Sequence, residues 1–242
     1  MKEVAILRQK FSRIIGIIMI LAGLFLVGQH FLSGYFVGQN QAEVSVAGMS
    51  AADLKNNQGK EGEFDYNAVR NVSEKEIRES RERIEKGLAG LNVIGALAMP
   101  EADINVSIMK GLSEDVLLSG AGTFYPDQEM GKGNYPLASH NMNTVRRGLL
   151  LSPILDKAKI GQKIYMTDLD KVYIYEVDMA EVVAPTRVDL VSPEAEKPTV
   201  TLMTCTADGQ HRMIVQGKLQ KTIPFKEADK KILDYFDIEA EK

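Results

Sequence analysis

Cys205 is the only cysteine of the chain, and beyond the first forty residues the only histidines are His140 and His211. That supply is too poor for a metal site built from Cys and His. It is enough for a thiol nucleophile, which needs one cysteine, one imidazole to move protons, and a cation or amides to hold an oxyanion. Cys205 closes a β-rich run, Val200-Thr201-Leu202-Met203-Thr204-Cys205; a polar turn from Thr206 to His211 follows, and Arg212 opens the next apolar run. In a hairpin, a cysteine ending one strand and an arginine starting the next can face one groove. The same spacing also fits an unpaired cysteine that is simply a small buried hydrophobe.

The elements that must hold these residues are short. From Leu91 onward the pattern is one of brief apolar runs: Val93–Leu97, Ile104–Met109, Lys163–Met166, Val172–Val177, Ala180–Val183, Val200–Met203 and Met213–Val215. Turn signals separate them, including Met99-Pro100, Gly120-Ala121-Gly122, Gly131-Lys132-Gly133-Asn134 and Ala207-Asp208-Gly209. Several runs alternate with period two, which predicts an all-β sandwich or barrel. Short helical turns are expected near Ser113–Leu118 and Ser152–Ala158. Ser73-Glu74-Lys75-Glu76 is a capping box. It opens a helix to about Gly87 with a narrow stripe of Ile77, Ile84 and Leu88, expected to dock weakly on the domain that follows. Gly38 to Val72 keeps no periodicity and reads as a stalk or linker. Residues 226–242 form a charged tail, in which Ile232, Leu233 and Phe236 either make one apolar patch on the barrel or fray. No internal repeat is visible.

The 242 residues carry 29 basic and 33 acidic groups, a net charge of −4, so nothing global suggests a nucleic-acid partner. Apolar residues are 45% and charged residues 26%, as in an ordinary globular core, and 20 Gly with 8 Pro exclude a collagenous or low-complexity chain. The charge is uneven: residues 1–13 hold Lys2, Arg8, Lys10 and Arg13 against Glu3 alone. Residues 14–37 then contain no charge at all, and a helix needs about 20 residues to cross the hydrocarbon core. The basic flank predicts a single-pass signal anchor with its N-terminus in the cytoplasm and the C-terminal body outside. The competing reading is a cleaved signal peptide, with Ser45-Val46-Ala47 as the cleavage site and Gly48 as the mature N-terminus. The apolar stretch is longer than the roughly 7–15 residues of a signal h-region, and the site lies well past its end. Five segments result: a basic tip (1–13), the anchor (14–37), a linker with one helix (38–90), the β domain (91–225) and the tail (226–242).

Thr201-Leu202-Met203-Thr204-Cys205 resembles the Thr-Leu-x-Thr-Cys signature of sortases, the cysteine transpeptidases of Gram-positive cell surfaces. Upstream, Asn134-Tyr135-Pro136-Leu137-Ala138-Ser139-His140-Asn141 resembles the segment holding that family's histidine, and Arg212 stands where the family places its arginine. Gly120-Ala121-Gly122-Thr123 and Gln128-Glu129-Met130-Gly131 resemble segments of class A members, particularly streptococcal ones. The resemblance spans roughly residues 91–220 in the order His, Cys, Arg. It implies a closed eight-stranded β-barrel with short helices, preceded here by the transmembrane helix and the linker helix.

The resemblance also implies roles. Cys205 is the nucleophile, His140 the general acid/base, and Arg212 the donor to the oxyanion or substrate backbone, with Thr204 bracing the strand end. His211 ranks below His140 because it lies in the turn. The substrate groove is expected along Ala138, Ser139 and Met203 and the loop between the sixth and seventh strands, where Val188 and Leu190 supply apolar walls. The implied reaction, of the thiol-protease class of hydrolases, cleaves a surface protein's Leu-Pro-x-Thr-Gly signal between Thr and Gly. A thioester forms and a peptidoglycan-precursor amine, the lipid II cross-bridge, resolves it. Some class A members use calcium; Asp127, Glu129 and Glu194 are the acidic candidates here, but their spacing makes no convincing oxygen cage, so no metal or other cofactor is expected. The lack of an apolar run after Phe225 points to class A over the pilus-building class C. The rival from another class is a non-catalytic, membrane-tethered barrel that binds peptides or glycans, with Cys205 as inert packing.

Overall fold

The computed structural model describes residues 2–142 and 149–238; within the first helix, the side chains at 2–10, 12, 26 and 29–31 also lie outside the described set. Helix α1 runs from Lys2 to Glu43, α2 from Ala51 to Gln58 and α3 from Glu74 to Glu85. Eight strands follow: β1 (Val93–Met99), β2 (Ile104–Met109), β3 (Ala121–Thr123), β4 (Asn134–Ala138), β5 (Lys163–Thr167), β6 (Lys171–Val183), β7 (Thr199–Cys205) and β8 (Arg212–Pro224). They close into a barrel in the order β1-β2-β3-β4-β7-β8-β6-β5. The β2–β3 and β4–β7 pairs are parallel and the others antiparallel. Short helices α4 (Glu114–Leu117), α5 (Ile154–Lys157) and α6 (Lys230–Asp234) decorate it.

Alternation along the strands decides what fills the barrel. Leu97, Val106, Ile108, Leu137, Val200, Leu202, Tyr175 and Val215 form one buried interior cluster. The alternate positions Ala138, Met203, Cys205 and Ile214 belong to a second cluster on the outer face. The expected all-β barrel is therefore present, with both expected helical turns. The capping box also forms: Ser73 Oγ accepts from the Glu76 amide, and the Glu76 carboxylate accepts from the Ser73 amide.

Several elements differ from the sequence reading. Gly120-Ala121-Gly122 predicts a turn, yet 121–123 is strand β3. Glycine is needed there because a Cβ on Gly122 would stand 2.3 Å from the Gly111 carbonyl oxygen. The runs 172–177 and 180–183 are one strand, β6, with register shifts between Ile174 and Tyr175 and between Val177 and Met179. The segment read as a stalk holds the end of α1, a second capping box at Ser50 and Asp53 that starts α2, and a 3-10 turn at Tyr66–Ala68. It packs on the barrel through buried Val44, Val46, Leu54 and Val69. In α3, Ile77 is buried beside Val37 of α1, and Arg83 forms a bidentate pair with Asp115, whereas Leu88 is 71% exposed. The tail makes the apolar patch: Leu233 and Phe236 are buried, and Phe236 joins Val44 and Ala98.

Among the described residues, no helix is long and apolar enough to cross a membrane. The expected span, 14–37, falls partly on the side chains outside the described set. Within it, Ile17, Met19, Ile20 and Phe25 are each more than half exposed, whereas Val37 at its end is buried.

Candidate active site

Strand order brings the three candidate residues to one end of the barrel. β4 and β7 run parallel with Ala138 opposite Met203; β7 continues two residues further, to Cys205, whereas β4 ends at Ala138 and His140 lies two residues past it, its amide bonded to the Leu117 carbonyl at 3.0 Å. Asn141 Nδ2 donates to the Cys205 carbonyl, which holds the histidine segment beside the end of β7. On the other flank of β7, Cys205 pairs directly with Arg212 across the β7–β8 hairpin. Opposite residues of an antiparallel pair project to the same face. Cys205 and Arg212 thus share one face of β7 and β8, with His140 in the segment just beyond β4.

The turn between Cys205 and Arg212 is tied internally. Thr206 N donates to the His211 carbonyl and His211 N to Thr206 Oγ1, both at 3.1 Å, while Gly209 takes φ = +71°. His211 itself is exposed, and its main chain rather than its imidazole serves the turn. Arg212 is almost fully buried. Its Nη1 donates to the Gly209 and His211 carbonyls at 3.1 Å each, and its Nη2 to the Val69 carbonyl at 2.9 Å. Its Nε has no partner among the described residues. The Cys205 thiol lies 3.7 Å from that same Val69 carbonyl oxygen. Burial pushes the thiol's pKa up, and the Arg212 charge opposes that shift.

His140 is 1% exposed. Its Nδ1 lies 2.8 Å from the Arg70 carbonyl oxygen. A carbonyl can only accept, so Nδ1 carries the proton in the neutral ring and Nε2 keeps its lone pair. Nε2 has no partner among the described residues. Burial holds the imidazole down to about 4, so it stays neutral near pH 7.

The supporting side chains fix the strand ends. Thr204 Oγ1 donates to the Ser139 carbonyl at 3.1 Å, tying β7 to the end of β4. Ser139 accepts the Leu151 amide at 3.0 Å and is fully buried, so its hydroxyl braces a loop and does not line open space. Ala138, Met203 and Leu190 join Cys205 in the outer apolar cluster; Val188, 55% exposed, does not.

Sequence reasoning missed three features. Asn141 Nδ2 donates to the Cys205 carbonyl at 2.8 Å, linking the histidine and cysteine segments. The Leu190 carbonyl accepts from Asn134 Nδ2, Gln216 Nε2 and Thr201 Oγ1 at 3.0, 3.1 and 3.3 Å, which pins the β6–β7 loop to the barrel. The third is the pair of carbonyls, Val69 and Arg70, from the supposed linker. Asn141 adjoins the histidine in sequence and was open to inspection; main-chain carbonyls leave no sequence signal. Of the acidic calcium candidates, Glu129 is paired with Lys132 at 2.5 Å, and no group of three or more His, Cys, Asp or Glu gathers among the described residues.

Comparison with known proteins places this geometry. Residues 97–220 match the model of the sortase domain. The chain is 34% identical over 224 residues to sortase A of Streptococcus agalactiae, covering 91% of this chain and 89% of that one. It is 33% identical over 213 residues to sortase A of Listeria monocytogenes, covering 87% and 92%. The crystal structure of the Listeria monocytogenes sortase A superposes with a TM-score of 0.54 at 37% identity, covering 60% of this chain and 97% of that one.

Proposed function

Since this chain belongs to the sortase family, as a class A member and hence a cysteine transpeptidase, we propose that it attaches surface proteins to the cell wall by cutting a Leu-Pro-x-Thr-Gly-like signal between Thr and Gly. The observation that carries the reading is the pairing of Cys205 with Arg212 across β7 and β8, with His140 in the segment that follows β4 and its proton held on Nδ1.

The Cys205 thiol attacks the threonine carbonyl carbon while His140 Nε2 takes the thiol proton. Arg212 donates to the resulting oxyanion. The carbon–nitrogen bond then breaks, His140 returns the proton to the leaving glycine amine, and a thioester remains. An acceptor amine of a peptidoglycan precursor attacks that thioester, His140 removes the amine's proton, and the thiol is released. Asn141 and Thr204 hold the two strand ends in register, and Ala138, Met203 and Leu190 offer the apolar wall for the signal's leucine and proline. Ser139 and Val188 are assigned no contact with substrate.

Residues 14–37 are proposed as the retained anchor, with the N-terminus inside and the barrel outside. Supporting this are the charge-free span, its exposed apolar side chains and the basic flank. Cleavage after Ala47 would strip Val37, Val44 and Val46 from the clusters they fill. The test of function is incubation of the full chain in detergent with a Leu-Pro-x-Thr-Gly peptide and a glycine-based amine. The expected product is the peptide through Thr joined to the amine; intact peptide would refute the reading.

A further inference from the structure

We propose that the catalytic barrel is seated directly on the lipid bilayer as a rigid extension of α1, with the edge that carries His140 held at the headgroup layer; this seat rests on the retained-anchor reading. Helix α1 runs unbroken from Lys2 to Glu43, so the depth of its apolar span fixes the height of everything packed on its end. A hydrocarbon core of about 30 Å takes about 20 helical residues at about 1.5 Å each. Counted from Ile14, the residue after Arg13, that core ends near Ser33. The headgroup layer adds about 5–7 Å, or about four residues, and so extends to Val37. The barrel meets the helix inside that layer. Ser33 and Gly34 are already buried and Val37 is fully so, whereas Leu32 and Tyr35 on the opposite face are half exposed. An exposed tyrosine at this depth suits the membrane–water interface.

What covers this face of α1 is the surround of the catalytic histidine. Val37 shares one buried cluster with Ile77, Leu118, Met142 and Leu150. Met142 is two residues from His140, and Leu118 adjoins Leu117, whose carbonyl accepts the His140 amide. Gln41 fastens the joint to the barrel: its Nε2 donates to the Asn105 carbonyl at 2.9 Å, and its Oε1 accepts the Leu150 amide at 3.2 Å. Helix α3 runs beside α1 in the same direction. Val37 sits by Ile77, and further along Asn40 accepts from Arg81 at 3.2 Å while Glu43 pairs with Arg81 at 2.7 Å. The first turn of α3, with Lys75, therefore lies at the level of residues 35–37, and Lys86 at its far end stands about 16 Å higher. Helix, histidine segment and barrel thus form one body at one height. A thioester on Cys205 is then within reach of an amine carried on a membrane lipid, which shares the same surface and gains effective concentration from it.

The test uses the full chain in phosphatidylcholine vesicles, with Cys205→Ala and a bimane label on one new cysteine, from Lys75→Cys or Lys86→Cys. Both lysines are exposed and lie outside the catalytic machinery. A lipid with a nitroxide on its headgroup should quench the label at position 75 at least about threefold more than the label at 86. Equal quenching in a chain that floats with the vesicles would overturn the seat and leave the anchor standing; a chain that does not float would overturn both. With Cys205 intact, Arg81→Ala removes the ties to Asn40 and Glu43. It should slow transfer to a glycine peptide coupled to a lipid of the same vesicle by about fivefold or more. Transfer to soluble triglycine should be unchanged, as should circular dichroism. Equal effects on the two amines would overturn the seat. Transfer to neither amine by the unaltered chain would overturn the transpeptidase reading, while the quenching ratio still decides the seat.

Discussion

Cys205 and Arg212 face one another because a tight polar turn joins two strands at that pair. This sets a demand on Arg212 that charge alone does not meet. Its planar fork already serves three carbonyls from two nitrogens, and a lysine offers one rotating ammonium. Arg212→Lys is expected to lose kcat/KM nearly as badly as Arg212→Ala, on the order of 10²-fold or more. His140→Ala should be comparably crippled, and His211→Ala mild, since the turn uses only that residue's main chain. Measuring kcat/KM for the four variants on one peptide, with circular dichroism as control, decides the assignment. Full activity in Arg212→Lys would reduce the residue to a charge, and an active His140→Ala beside a dead His211→Ala would reverse the imidazoles. The three side chains were legible in the sequence through their motif and order. Val69 was not, because it acts through a carbonyl that every residue possesses.

At the scale of elements, legibility followed how much of a strand is apolar. β1, β2 and β7 are buried runs and announce themselves, as does β5, which alternates half-buried with buried positions. β3 and β4 do not: one is Ala-Gly-Thr and the other carries Pro136, both of which read as turns or motif rather than ladder. The second half of β8 is mostly polar and exposed, although it pairs with the half of β6 that buries Val172, Tyr173 and Tyr175. Helix α2 escaped because its eight residues, Ala51–Gln58, bury only Leu54. The first helix was legible in its apolar span, but its continuation to Glu43 depends on contacts made far away. Asn40 and Glu43 bind Arg81 of α3, and Gln41 Nε2 donates to the Asn105 carbonyl at 2.9 Å. A retained anchor places this whole docking surface outside the cell. Protease added to intact protoplasts should remove the barrel and leave a membrane-bound N-terminal fragment. Recovery of a soluble chain beginning at Gly48 would show cleavage instead.

For the whole molecule, burial of the site is written into stability. His140 is held at about 4 when folded, against 6.5 when free. Above 6.5 the ring is neutral in both states and costs nothing. As pH falls from 6.5 to 4 the unfolded chain takes up a proton that the folded chain refuses, so stability falls through that window. Below 4 both states are protonated and the loss levels off, at roughly 3 kcal/mol. Glu76, held down to about 2 chiefly by its hydrogen bond from Arg70, loses its contribution only at lower pH, between 4.5 and 2. Urea melts at steps from pH 7 to 4 should therefore show a decline that His140→Gln flattens; equal declines in both proteins would mean that the imidazole is not buried neutral.

The central claim is that one thiol carries the acyl group between donor and acceptor. Its most direct test is the intact mass of the enzyme, acid-quenched during turnover of a Leu-Pro-x-Thr-Gly peptide without added amine. The account predicts a species heavier by the peptide acyl fragment ending at threonine, attached at Cys205, discharged when amine is added, and missing in Cys205→Ala. Turnover by Cys205→Ala, or an adduct at any other residue, would contradict it.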